Sequence, residues 1–94
     1  MYYLQVFTPE EVVFDDYVIA LIAPGASGYL GILTDHAPLM TTLKPGTLII
    51  TDKTNTKLFY HVSEGFLEVK DNKASILIDT IQPTQAIKMS GGGI

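Results

Sequence analysis

The sequence predicts an all-β domain, a flattened barrel or two-sheet β-sandwich of about nine to ten short strands. Three observations carry this. Short apolar runs recur along the chain, and where they alternate with polar residues they do so with the period of a strand, never with that of a helix. Turn-forming clusters such as Thr8-Pro9-Glu10, Lys44-Pro45-Gly46 and Asp71-Asn72 separate these runs at close intervals. A chain of 94 residues, 47% of them apolar, is one domain with one modest core, and it contains no internal repeat.

Taken in order, Tyr2 to Phe7 is the first strand, with Leu4 and Val6 on one face and Tyr3, Gln5 and Phe7 on the other. Thr8-Pro9-Glu10 breaks it. Val12-Val13-Phe14 is a short second strand, Asp15-Asp16 is expected to turn the chain, and Tyr17 to Ala23 is a third strand. Pro24 to Gly28 reads as a loop. From Gly28 to Gly46 the pattern is strand, exposed corner, strand, turn. The corner is Thr34-Asp35-His36, and Pro38 pushes Ala37 toward extended geometry. Thr47 to Thr51 and Lys57 to Val62 form a hairpin around the hydrophilic tip Asp52-Lys53-Thr54-Asn55-Thr56. After the break at Ser63-Glu64-Gly65, Phe66 to Val69 alternates, with Leu67 and Val69 opposite Glu68 and Lys70. Asp71-Asn72 is a hairpin signal, and Lys73 to Ile78 is the last clear strand. Ile81 to Met89 is a ragged strand or tail, and the glycines after Ser90 carry nothing to pack. The expected organisation is a β-sandwich domain over 1–82 and a flexible C-terminal tail over 83–94.

The composition removes several classes of function. Net charge is −4, with six lysines and no arginine, which argues against nucleic acid and against anionic lipid. No cysteine is present for a disulfide or a thiolate metal site. No apolar run approaches the roughly 20 residues of a membrane-spanning helix, and the first residues lack the pattern of a signal peptide.

The candidate chemical motifs are weak. Gly25, Gly28 and Gly31 are spaced like a phosphate cradle, but neither Lys-Ser nor Lys-Thr follows and no helix is expected to begin there, so turn and packing roles come first. Asp35, His36 and His61 are ordinary content without metal-ligand spacing. Lys88, in Ala86-Ile87-Lys88-Met89, resembles the lysine that carries biotin, but it does not sit between two strands at a hairpin tip. Glu10-Glu11 and Asp15-Asp16 read as solvated turn acids. No catalytic, cofactor or metal residue is therefore nominated. The informative features are the polar corner and two strands that are apolar on both faces, Val18 to Ile22 and Leu48 to Ile50. A strand of a two-layer sandwich needs only one apolar face, so these leave an oily outer surface suited to a protein partner.

Two separated motifs carry a resemblance. The first is Gly28, Gly31, His36-Ala37-Pro38-Leu39, Thr41 and Pro45-Gly46; the second is Gly65-Phe66-Leu67-Glu68-Val69 followed by Asn72 and Asp79. In this order and at this distance the chain, from Tyr3 to Asp79, resembles the amino-terminal β domain of the epsilon subunits of F-type ATP synthases. The resemblance implies a non-catalytic part of the rotary central stalk. It links the gamma subunit to the c ring and couples proton flow to ATP synthesis, peripheral to the cytoplasmic face of a bacterial inner membrane. Carried over by position, Tyr29, Asp35, His36 and Pro38 would face the c ring, and Thr8 and Thr41 would face gamma. Full-length relatives continue into a hairpin of two helices for which these 94 residues leave no room. The expectation is a naturally short or shortened form that supports coupling, does not inhibit ATP hydrolysis through that arm and binds no ATP. Three positions depart from the family pattern. Asp35 stands where glycine or asparagine is common, Tyr29 where an acid is frequent, and Glu64 replaces one of two adjacent glycines. The alternative reading is a free-standing β-sandwich that binds an unrelated protein.

Overall fold

The computed structural model describes residues 1–84, and every regular element among them is a strand. The nine strands are β1 (Tyr2–Phe7), β2 (Val12–Gly25), β3 (Gly28–Ile32), β4 (Leu39–Leu43), β5 (Gly46–Asp52), β6 (Lys57–Val62), β7 (Gly65–Lys70), β8 (Lys73–Ile78) and β9 (Ile81–Pro83). The expected tail beyond residue 84, with Lys88, lies outside the described residues. What is described of residues 83 and 84 is strand-like: Pro83 pairs with Tyr60, and Thr84 N–H donates to Phe59 C=O at 2.8 Å.

One expected turn is absent. Asp15-Asp16 does not reverse the chain but lies in mid-strand, so the expected second and third strands are one 14-residue strand. The reversal between β1 and β2 falls earlier, where Thr8 N–H donates to Glu11 C=O at 2.9 Å and Thr8 Oγ1 accepts Glu11 N–H at 3.3 Å. Adjacent strand residues face opposite ways, so the two acids do not repel each other across one face. Asp15 accepts from Tyr3 Oη at 2.6 Å and from Gln5 Nε2 at 3.1 Å. Asp16 pairs with Lys53 Nζ at 3.1 Å. Pro24 and Gly25, expected in a loop, also belong to β2.

This long strand joins the two layers. Its first half pairs antiparallel with β1, and β1 runs parallel to β8, which leads through β7 to β4. At the far end of β2, Gly25 pairs with Leu43 of β4, so this circuit closes on itself. The second half of β2 is flanked by β3 on one side and by β5, β6 and β9 on the other. A bulge between Val18 and Ala20 turns both Val18 and Leu21 inward. The result is a barrel flattened into two layers around one core. Leu4, Val6, Leu67 and Ile76 fill it from one layer, and Leu21, Leu48, Ile50 and Val62 from the other.

Candidate functional site

The corner between β3 and β4 is built from both sides. At its base, Ile32 is fully buried, and the Tyr2 hydroxyl donates to Ile32 C=O at 2.6 Å. Burial holds the Tyr2 phenol well above its ordinary titration range, so this donor keeps its proton. In the bend, His36 N–H donates to Leu33 C=O at 3.2 Å, and Asp35 takes a left-handed backbone with φ 61°. The residue that replaces the more usual glycine or asparagine thus adopts the conformation for which aspartate is one of the tolerated side chains. Asp35 N–H donates to Asn72 Oδ1 at 2.8 Å, a contact across 37 positions of sequence. His36 Nδ1 lies 2.7 Å from Ala37 C=O. A carbonyl only accepts, so Nδ1 carries the proton. Asp35 and Pro38 are exposed and His36 is half-buried, all three on this one bend.

Tyr29 is not on the bend. It sits at the other end of β3, opposite Pro24, and its hydroxyl accepts Thr47 N–H at 3.1 Å. Gly46 lies beneath it, where an added Cβ would come within 2.8 Å of the Tyr29 hydroxyl. About four residues of extended chain, roughly 13 Å, separate Tyr29 from Leu33, where the bend that carries Asp35 begins. Tyr29 and the bend are joined through β3, which among the described residues pairs with β2 alone; Tyr29 and Leu33, the residue just past its end, are exposed at 59% and 62%. The four residues therefore form a strip rather than a cluster. His61 belongs to neither end of a shared site with Asp35 and His36: it is an exposed residue of β6, paired with Thr47 and Gln82. After Gly28 the chain continues as β3, not as a helix that would aim its amides at a phosphate.

A second exposed surface lies on the outside of the other layer. Cross-strand pairing aligns Thr42, Phe66, Leu77, Phe7 and Val12 in one row over β4, β7, β8, β1 and β2. Phe66 and Leu77 are more than half or half exposed, and Met40 beside them is exposed at 73%. They form an apolar ridge between two shallow grooves, one of about 410 Å³ running toward Pro9 and Asp79, the other of about 390 Å³ running toward Met40 and Ser75. Thr8 stands just past one end of the row. Thr41, beside the other end, is half-buried between the outward-facing Met40 and Thr42. The strand register explains the ridge. Gly65 has no space for a Cβ, which would lie 2.1 Å from Leu77 C=O, so β7 and β8 approach closely there and bring Phe66 against Leu77.

Of the two strands expected to present an oily outer surface, β2 does so through Ile19 and Ile22, whereas on β5 Leu48 and Ile50 are buried and Ile49 is half-buried, so that expectation fails there. The sequence reading missed the larger apolar surface on β7 and β8. The same signal was available, since Phe66-Leu67 and Ile76-Leu77-Ile78 are also apolar on both faces.

Residues 1–84 match the family model described as the β-sandwich domain of the ATP synthase delta/epsilon chain. The chain belongs to this family. Among similar proteins, the ATP synthase epsilon chain of Desulforamulus reducens is 46% identical over 85 residues, which cover 89% of this chain and 63% of that one. That of Protochlamydia amoebophila is 39% identical over 87 residues, covering 93% of this chain and 59% of that one. The chain thus spans about three fifths of the length of these epsilon chains. Among solved structures, a chain of the Euglena gracilis mitochondrial ATP synthase, in a structure containing OSCP, F1 and the c-ring, superposes with a TM-score of 0.80 at 26% identity. It matches over 85% of this chain and 51% of that one. A chain of the Tetrahymena thermophila central stalk and c-ring structure, at 20% identity and a TM-score of 0.73 over 85% of this chain and 64% of that one, shares the fold.

Proposed function

We propose that the chain is a non-catalytic central-stalk subunit of a proton-translocating F-type ATP synthase, holding the gamma subunit to the c ring so that proton flow drives ATP synthesis. In this reading the apolar ridge of Phe66 and Leu77, flanked by Thr8 and Thr41, receives gamma. The strip from Tyr29 through Asp35 and His36 to Pro38 rests on the polar loops of the c ring. The subunit is then peripheral to the membrane, at the cytoplasmic face in a bacterium.

The observation that carries the reading is the ridge, an unpartnered apolar row on the outside of a domain of the epsilon-chain family. Small proteins rarely leave such a surface open unless another protein covers it. The mechanical requirement agrees. Torque has to cross a wide contact that does not slip, and preformed strands and a hydrogen-bonded corner lose little freedom on docking. Tyr29 makes any c-ring contact at its position one of stacking or hydrogen bonding rather than of paired charges.

The test is to add the chain to an ATP synthase stripped of its own epsilon subunit. Binding to gamma and c-ring proteins with restored proton-coupled synthesis is expected. A chain that binds neither, or captures an unrelated protein instead, overturns the proposal. The double variant Phe66→Glu, Leu77→Glu is expected to lose about 30-fold or more in affinity for gamma, the scale of two or more kcal/mol at a buried hot spot. Its melting temperature is expected to move by only a few degrees, because both side chains are already exposed in the free domain.

A further inference from the structure

We propose that Asn72, a turn residue remote in sequence from the corner, is the positioning residue that keeps the corner in its docking shape. The inference rests on the reading that the corner meets the c ring.

Asp71 and Asn72 are the two central residues of the β7–β8 hairpin, between the paired Lys70 and Lys73, and both have left-handed backbones with φ of 53° and 57°. Such a turn needs only residues that tolerate positive φ, and glycine at its second position serves it as well as asparagine or better. The Asn72 side chain therefore has no necessary part in the hairpin. It is used elsewhere. Its Oδ1 accepts Asp35 N–H at 2.8 Å, and its Nδ2 donates to Met1 C=O at 3.2 Å. One amide thus ties the tip of the corner to the start of β1, while Tyr2, the next residue along, ties the corner's base through Ile32. Asp35 is held in a backbone region that a non-glycine residue leaves readily, so an exposed bend of this kind needs an external constraint to stay single-valued. Both atoms of the Asn72 amide are occupied, and the side chain that supplies the constraint contributes nothing that a turn would require.

Glycine separates the two roles. Asn72→Gly keeps the hairpin and deletes the clamp. The expected result in the free protein is an unchanged or slightly raised melting temperature together with amide exchange at Asp35 faster by about 10-fold or more. In the assembled enzyme, affinity for the c-ring-containing complex falls by about 10-fold, while affinity for soluble F1, which offers gamma without the ring, does not change. Asn72→Asp keeps the acceptor oxygen, loses the donor to Met1, and is expected to restore most of the Asp35 protection and the ring affinity. Unchanged exchange at Asp35 in Asn72→Gly overturns the clamp. Faster exchange with undiminished ring affinity overturns its role in docking; if His36→Ala with Pro38→Ala then still weakens ring binding, the corner stands as the contact without the clamp. If neither variant affects the ring, the corner is not the contact and the inference falls with it.

Discussion

Two polar connections of this small domain, the corner at 33–38 and the β5–β6 tip at 52–56, look alike in sequence and are held in opposite ways. The tip is held mainly from within, with the exposed ion pair of Lys53 and Asp16 as its long-range side-chain tie. The Asp52 carboxylate accepts from Thr54 N–H at 2.9 Å, Thr54 Oγ1 at 2.7 Å and Thr56 N–H at 3.0 Å, all within four residues. The corner is held by other elements, through Tyr2 and Asn72 from 30 and 37 positions away. A tip held this way can change at Thr54 to Thr56 with little effect on the rest of the molecule. A corner fixed by distant strands transmits force to them, as the proposed c-ring contact requires and a simple chain reversal does not.

The largest way to break the contrast is at Ile32, the buried foot of the corner. Ile32→Ala is expected to lower global stability by about 2–5 kcal/mol in urea unfolding, whereas Thr54→Gly at the tip is expected to leave the midpoint close to wild type. A smaller perturbation is Tyr2→Phe, which strands the Ile32 carbonyl inside the core and should cost about 1–3 kcal/mol. Amide exchange should accelerate at the corner and stay constant at 54–56; equal acceleration at both would mean that the tip also depends on the core. The smallest effect concerns pH. Hydrogen bonds from Thr54 and Thr56, that of the Thr54 hydroxyl first, hold the Asp52 carboxyl below its ordinary value of 3.8. The charged form is thus favoured by the fold. The stabilisation is present above that ordinary value and is lost as pH falls through the lower folded value. Protection of the Thr54 and Thr56 amides should decline in that acidic window, with the corner retaining its own, and Asp52→Asn should remove the dependence.

The same contrast explains what could be read from the chain. Strands β1, β6 and β8 have the expected boundaries because their alternation or their flanking turns are local signals. The corner was legible for the same reason; the left-handed backbone of Asp35 was signalled only by the family position, where glycine or asparagine is common. Asp15-Asp16 misled because two adjacent acids resemble a turn, and only the pairing partners Tyr3, Gln5 and Lys53 make them acceptable in a strand. That β7 and β8 are apolar on both faces was legible, but their alignment into one ridge required the register of five strands, which no local pattern states. Asn72 was legible as a turn residue, but its second task depends on which loops the topology brings together. Thr8 closes its own turn, and Thr41 lies half-buried beside more exposed neighbours. The broad surface between them is the more informative object.

The parallel pairing of β1 with β8 also governs how the chain is made. Once made, β1 can form its hairpin with β2 at once, but its other side lacks its β8 partner until residues 73–78 have been synthesised. During that interval the nascent domain carries an open strand margin capable of sticking to its neighbours. Because its closing step joins segments 70 positions apart, assembly should be slow for so small a domain, and the hazard of misassembly is concentrated in the moments before β8 arrives.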